Sequence, residues 1–132
     1  RNIAVIFNDE QRKLIFEILP VDRIQDDEDP WWNVHIVFQR FCVSYDDVRE
    51  SLTESEIKET ISMIDKYLDR IENHDFTTYD TLDYMEPDIG FVFNHSIAQM
   101  IIKIGYADTI QVNLDKNDLK IIRQAFADRM GQ

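Results

Sequence analysis

Two segments of this chain carry apolar residues on one side only, at the spacing of an α-helix, and both begin with the same start signal. In the first, Thr53 stands where an N-cap is expected and Glu56 follows three positions later, which together predict a capping box. In the second, Asp115 and Asp118 occupy the same two positions. Each helix must therefore bury one stripe and leave its other face in water. The predicted stripes are Ile57, Ile61, Ile64, Leu68 and Ile71 in the first helix, and Leu119, Ile122, Phe126 and Met130 in the second.

Before each helix, apolar and polar residues alternate, which is the period of strands with one buried face. The predicted order is β-β-β-α-β-β-β-α, and the short connections between strands favour antiparallel pairing. We therefore predict an α+β fold with a single domain over residues 1–132, in which both helices pack on one face of an antiparallel six-stranded sheet. The predicted strands lie near residues 2–7, 13–19, 32–43, 88–93, 97–106 and 110–114. The polar residues Thr109, Gln111 and Asn113 mark the sheet face that is left to solvent.

The third predicted strand changes phase along its length. Its apolar residues occupy even positions up to Phe38 and odd positions from Phe41 onwards. A β-bulge adds one residue to a strand, so a bulge would return both sets to the same face of the sheet. We therefore predict a bulge at or next to Gln39 and Arg40.

The acidic charge of the chain is concentrated in its middle. Residues 22–88 contain 19 acids and 6 bases, a net charge of −13, whereas the remaining residues carry +1. Such a field repels the phosphates of nucleic acids and attracts basic proteins. The charge therefore predicts a basic protein partner and disfavours nucleic acid, with the alternative that it serves solubility alone.

A run of four acids, residues 26–29, stands directly before Trp31 and Trp32. Neighbouring residues of a strand point to opposite faces, so Trp31 lies on the outer face if Trp32 joins the core. An exposed tryptophan in a charged rim has the composition of a protein-binding hot spot. The alternative is a solvated turn beside a covered tryptophan. The predicted partner-binding residues are Asp26, Asp27, Glu28, Asp29 and Trp31.

The sequence offers little for catalysis or for metal binding. The acidic run lacks the alternating oxygen ligands and the central glycine of a calcium loop. The histidines have no metal-ligand spacing, and no serine lies in a nucleophile-elbow motif. We therefore predict no catalytic residue, no metal site and no cofactor, so the protein is not expected to be an enzyme.

One alternative from another class is a metal-dependent, nuclease-like hydrolase that uses Glu86 and Asp88. These acids flank a proline at the start of a predicted strand, as in restriction-like nucleases. Such nucleases also carry an acid and a lysine on the next strand to hold the metal and activate water. The next strand here has Lys103 without the acid.

Cysteine content and hydropathy bear on the compartment. Cys42 is the one cysteine of the chain, which rules out an internal disulfide and suits a reducing environment. No apolar stretch approaches the ~20 residues of a membrane span. We expect a cytoplasmic protein that has no membrane partner.

Several short motifs follow one another along the chain from about Asp26 to Met130. They are Trp32-Asn33-Val34, Leu52-Thr53 with Glu56, and Glu86-Pro87-Asp88-Ile89 with Phe91. This order resembles the Wap-type immunity proteins of bacterial polymorphic toxin systems. The resemblance implies a small cytoplasmic α+β protein that binds and blocks a cognate toxin domain delivered by a neighbouring cell.

The resemblance carries over no catalytic residue and no toxin-contact residue. Together with the charge it predicts an immunity-type protein whose acidic surface neutralises a basic toxin domain. A structural interaction domain without an inhibitory role is the remaining alternative. The sequence leaves the identity of the toxin and the oligomeric state open.

Overall fold

The computed structural model describes residues 4–9, 14–24, 30–40, 43–77, 79–95, 97–104 and 108–129. Four strands precede a helix, and the same succession then repeats, so the α+β class is confirmed. The first half contains β1 (Ala4–Asp9), β2 (Leu14–Ile24), β3 (Trp31–Arg40), β4 (Val43–Thr53) and α1 (Glu54–Glu72). The second half contains β5 (Tyr79–Asp83), β6 (Ile89–Asn94), β7 (Ile97–Ile104), β8 (Asp108–Leu114) and α2 (Lys116–Arg129).

The strands form two antiparallel sheets of four, in the orders β1-β2-β3-β4 and β5-β6-β7-β8, so the prediction of a single six-stranded sheet was wrong. The two strands that the sequence pattern did not reveal are β4 and β5. In β4, the neighbouring acids Asp46 and Asp47 break the alternation, yet its residues pair along β3. In β5, which is five residues long, Leu82 is the only buried residue. Pairing with a neighbouring strand outweighed a weak local pattern in both cases.

The bulge predicted at Gln39 and Arg40 was also wrong. These residues pair in regular register with Ser44 and Val43 of β4. The chain ends β3 at Arg40 and begins β4 at Val43, while Phe41 lies outside the described residues. The change of phase therefore arises because the chain passes to another strand, not because one strand gains a residue. The register shifts of this sheet lie between Val5 and Phe7, between Pro20 and Asp22, and between Trp32 and Asn33.

Both helices contribute to the core that covers one face of the second sheet. A row of directly paired residues crosses all four strands of this sheet, and every member of the row is buried. The α1 ring of Tyr67 lies 5.2 Å from the ring of Phe93 in β6. The row is Leu82, Phe91, Met100 and Val112. The helix residues buried in the same cluster are Ile57, Ile61, Ile64 and Tyr67 of α1, and Leu119, Ile122, Phe126 and Ala127 of α2.

The opposite face of the second sheet is polar where the sequence predicted it. Thr109, Gln111 and Asn113 of β8 are exposed. The Gln99 side chain of β7 donates a hydrogen bond of 2.9 Å to the Asn113 side chain. Polar side chains bonded to one another across strands suit a face that stays in contact with water.

Both predicted helix starts are confirmed as capping boxes. The Glu56 N–H donates to Thr53 Oγ1 at 3.1 Å, and the Thr53 N–H donates to Glu56 Oε1 at 2.8 Å. The Asp118 N–H donates to Asp115 Oδ1 at 2.8 Å, and the Asp115 N–H donates to Asp118 Oδ2 at 3.0 Å. These reciprocal bonds satisfy donors that helical hydrogen bonding leaves unpaired, so they fix where each helix begins.

Candidate functional site

The predicted partner-binding residues are described in part. Asp26, Asp27, Glu28 and Asp29 lie outside the described residues, whereas Trp31 is described and is half-buried. Trp32 is half-buried as well and packs against the core. On either side of the acidic run, Ile24 at the end of β2 pairs with Trp31 at the start of β3. The run therefore connects two strand ends that lie side by side.

The residue that follows the acidic run is bound to the start of α1. Pro30 is buried, and its carbonyl accepts a hydrogen bond of 2.8 Å from the Glu54 N–H. Trp31 pairs with Thr53, the N-cap residue of α1. The N-terminus of a helix carries partial positive charge, so acids close to it are stabilised. Two such acids, Glu54 and Glu56, occupy the first turn.

Glu56 also joins the start of α1 to the loop between β5 and β6. While its Oε1 atom completes the capping box, its Oε2 atom accepts a hydrogen bond of 2.9 Å from the Met85 N–H. An ionised carboxylate can accept on both oxygens at once. The motif of Glu86 and Asp88 is thereby brought to the first turn of α1, to which Pro30 is also bound. Sequence reasoning identified Glu56 as a capping residue only, because no local pattern signals its bond to a residue 29 positions away.

The loop that Glu56 binds is closed by its own backbone. The Tyr84 N–H donates to the Ile89 carbonyl at 3.3 Å, and the Ile89 N–H donates to the Pro87 carbonyl at 2.8 Å. The Asp88 carbonyl accepts a further bond of 2.9 Å from the N–H of Lys103 in β7. The backbone of this loop is therefore held from within and from a neighbouring strand.

We call the surface that these contacts assemble the acidic end; its described members are Trp31, Glu54, Met85, Glu86 and Asp88. Met85 is 71% exposed, and Glu86 and Asp88 on either side of buried Pro87 are exposed too. An apolar side chain thus stands among carboxylates on a fixed backbone.

Beneath the loop, Tyr84 is anchored to α1. Its hydroxyl lies 2.6 Å from Thr60 Oγ1, and the Thr60 hydroxyl donates its proton to the Glu56 carbonyl at 2.8 Å. Since a threonine hydroxyl has one proton, Tyr84 is the donor in the bond that joins the two side chains. Burial, the largest cause, raises the pKa of Tyr84 above its ordinary value. Glu56 therefore supports the loop twice, through its side chain and through its carbonyl.

The direction of the Thr60–Tyr84 bond predicts unequal effects for two substitutions. Thr60→Val leaves the Tyr84 hydroxyl buried without an acceptor, which is expected to lower the free energy of unfolding by about 1–3 kcal/mol. Tyr84→Phe removes the donor and leaves Thr60 bonded to Glu56, with an expected loss of about 0.5–1.5 kcal/mol. Urea unfolding of both variants measures the difference. A larger loss for Tyr84→Phe than for Thr60→Val would contradict the assigned donor.

The raised pKa of Tyr84 predicts a loss of stability in alkali. The folded state favours the neutral phenol, so this contribution is present below the unfolded pKa of ~10 and disappears as the pH rises towards the folded value. We expect the free energy of unfolding to fall between pH ~9 and pH ~11 and to fall less in Tyr84→Phe. Part of the fall should persist in that variant because burial also raises the pKa of Tyr67. Equal slopes for parent and variant would contradict the role of Tyr84.

The acids of the alternative hydrolase are not grouped for metal binding. Within the described residues, no cluster of three or more histidine, cysteine, aspartate or glutamate side chains could hold an ion. The ammonium of Lys103 on the neighbouring strand is paired with Asp83 at 3.2 Å.

Among the residues that the structure describes, neither helix is long and apolar enough to cross a membrane.

Comparison with protein-family models gives no match for this chain, and comparison with curated proteins and with solved structures gives none either. The acidic end is the candidate because exposed Glu86 and Asp88 lie on a loop bound to the first turn of α1, to which Pro30 is bound as well.

Proposed function

We propose that this protein is a cytoplasmic, non-catalytic immunity-type protein that binds and neutralises a cognate basic toxin domain through the acidic end. The observation that carries the proposal is a pair of hydrogen bonds that join the first turn of α1 to Pro30, the residue after the acidic run, and to the loop of Glu86 and Asp88. One bond holds Met85 to Glu56, and the other holds Pro30 to Glu54. The resemblance to Wap-type immunity proteins supports the same role.

Charge supports a basic partner for this surface. Exposed charges act together only when they lie within about 10 Å of one another at 0.1 M salt. Acids gathered in one region of the surface therefore attract a cationic partner more effectively than the same acids spread over the whole surface. A toxin with a cationic substrate groove would be blocked when such a surface covers the groove in place of the substrate.

Apolar groups at the acidic end would slow dissociation of the partner, which charge alone does not do. Electrostatic attraction mainly speeds association, whereas desolvated anchors slow dissociation. Met85 and Trp31 are side chains of the kind that is enriched at interfaces, and methionine adapts readily to an irregular surface. The backbone bonds of the Met85 loop also reduce the entropy that binding would cost, because the loop is already ordered.

The proposed role is tested by isolating the partner and then co-expressing it with the chain. The immobilised chain would capture its partner from the native cell, and the captured domain would then be expressed with and without the chain. We expect the domain to be basic and to arrest growth on its own, and we expect co-expression of the chain to prevent the arrest. A captured domain that is acidic, or whose toxicity the chain does not relieve, would argue against the proposal.

Met85 offers a test of the apolar anchor. Met85→Ser should leave the fold intact because the side chain is 71% exposed. We expect it to weaken partner binding by about 1–2 kcal/mol, mainly through faster dissociation. Ile97→Ser is the matched control, since Ile97 is 54% exposed and pairs with Asn94 at another end of the second sheet. Equal losses in both variants, measured by surface plasmon resonance, would remove Met85 from the interface.

A further inference from the structure

A groove of about 440 Å³ lies between α1 and α2, and none of its lining residues belongs to the acidic end. Ile61, which is 7% exposed, contributes to its floor. The remaining lining side chains comprise three cations, one acid and one hydroxyl, on a chain whose net charge is −12. The lining of the groove is therefore net positive, although the molecule as a whole is net negative. It is lined by Lys58, Ile61, Ser62, Asp65, Lys66 and Arg123.

On the α1 side, Lys58, Ser62 and Lys66 follow one another at intervals of four residues. Residues four apart lie on the same ridge of a helix, and eight residues span ~12 Å along its axis. Neither lysine makes a salt bridge within the part of the chain that the structure describes; the ion pairs there are Arg70–Asp80, Lys103–Asp83 and Arg123–Asp65. Because Asp65 is paired with Arg123, the groove keeps a net positive charge from the two lysines, which favours an anion between them.

On the α2 side, Arg123 is held in place by a fork to Asp65. Its Nε and Nη2 atoms donate to the two carboxylate oxygens of Asp65 at 3.1 and 3.3 Å. A guanidinium has five N–H groups, so the fork leaves three that can bind a second anion. The pairing with Asp65 raises the pKa of Arg123, which keeps the guanidinium charged. Asp65 is thus a positioning residue for Arg123.

We propose that the groove between α1 and α2 binds a small polyanion that carries phosphate or carboxylate groups at two or more points. Lys58 and Lys66 would bind its two ends, and Ser62 and Arg123 would bind the part between them. The volume lies within the ~300–1,000 Å³ of small-molecule sites. The short groove and the acidic surroundings disfavour a nucleic acid, whose long phosphate backbone would meet the repulsive field of the remaining surface.

A ligand in this groove would contact both helices, so it would bind the folded state of the chain and not the unfolded state. Ligands of this kind raise the melting temperature in a concentration-dependent manner. The residues that line the groove are not members of the acidic end. Binding in the groove can therefore succeed or fail without deciding the proposed function.

The test uses sodium tripolyphosphate and citrate as probes, with titration calorimetry and thermal unfolding as readouts. The groove variant is Lys58→Gln with Lys66→Gln, and the matched control is Lys116→Gln with Lys120→Gln. Both variants lose two charges from exposed helix positions, but the control residues do not line the groove. We expect saturable binding to the parent, unchanged binding to the control, and binding at least ~10-fold weaker in the groove variant.

The two probes also distinguish the chemical source. Tighter binding of tripolyphosphate would indicate a phosphorylated ligand, and tighter binding of citrate a polycarboxylate. The proposal is overturned if neither probe shows saturable binding to the parent. It is overturned equally if the control variant loses as much affinity as the groove variant, because binding would then follow net charge alone.

Discussion

Replacement of Asp26, Asp27, Glu28 and Asp29 by their amides is expected to slow association with the basic partner at least ~10-fold at low salt. The reason is that the proposed function assigns to these acids a large part of the attraction for the basic partner. The effect should shrink as salt is added, because the Debye length falls to ~8 Å at physiological ionic strength. Stopped-flow mixing at two ionic strengths measures both quantities.

A second substitution separates steering from anchoring. Trp31→Ala is expected to leave the association rate nearly unchanged and to cost ~2 kcal/mol or more through faster dissociation. The half-buried position of Trp31 at the start of β3 leaves part of its surface for a partner. If Trp31→Ala changed the folding stability instead of the dissociation rate, the tryptophan would be a structural residue.

The control for the four-acid variant removes the same charge elsewhere. Asp69, Glu72, Asp75 and Asp115 are exposed; the first two lie in the last turn of α1, and asparagine at position 115 still serves as an N-cap of α2. Since α1 has 19 residues, its ends are ~28 Å apart, well beyond the Debye length. The control variant should associate nearly as fast as the parent. Association of the Asp26–Asp29 variant at the parental rate would reduce the run to a solvated turn.

Ile64→Ala is expected to lower the free energy of unfolding by about 2–5 kcal/mol, the largest stability effect predicted for this chain. Ile64 is fully buried in the cluster that α1 and α2 form with the second sheet. Truncation would leave a cavity because the surrounding side chains come from several elements and relax only in part.

Ser62 provides the comparison for Ile64. It lies two residues away on the exposed side of α1. Ser62→Ala is expected to change the free energy of unfolding by less than about 0.5 kcal/mol. Urea unfolding of both variants gives the two values, and a loss well below 1 kcal/mol for Ile64→Ala would place that residue outside the core.

The helices were predictable because their signals are local. A capping box occupies four consecutive residues, and an apolar stripe repeats within one element. Thr53 with Glu56 and Asp115 with Asp118 therefore appeared in the sequence as they do in the structure. The exposed polar face marked by Asn113 was predictable for the same reason, since strand alternation is also local.

The division into two sheets was not predictable from such signals. Whether eight strands form one sheet or two depends on which strands pair, and pairing depends on distant residues. β4 combines apolar residues with Asp46 and Asp47, and its strand character comes from its long pairing with β3. A short, mostly exposed strand such as β5 gives almost no periodic signal.

The candidate site shows the same limit. The sequence indicated the acids of residues 26–29, Trp31, Glu86 and Asp88 separately, and it gave Glu86 and Asp88 a role in an alternative hydrolase. It did not indicate Met85, nor that Glu56 binds the Met85 loop. A single tertiary hydrogen bond changes the meaning of the motif of Glu86 and Asp88, because it brings their loop to the first turn of α1, to which Pro30 is also bound.

The most direct test of the acidic end is hydrogen–deuterium exchange of the chain with and without its captured partner. The Met85 N–H is a sensitive reporter because its acceptor is the Glu56 side chain at the surface. We predict that the partner slows exchange in peptides that cover residues 25–31, 53–57 and 84–89. Peptides of β8 and of the groove residues 58–66 should exchange as they do in the free chain. If the partner protected only the peptides of β8 and of residues 58–66, and left residues 84–89 unchanged, the acidic end would not be the docking surface.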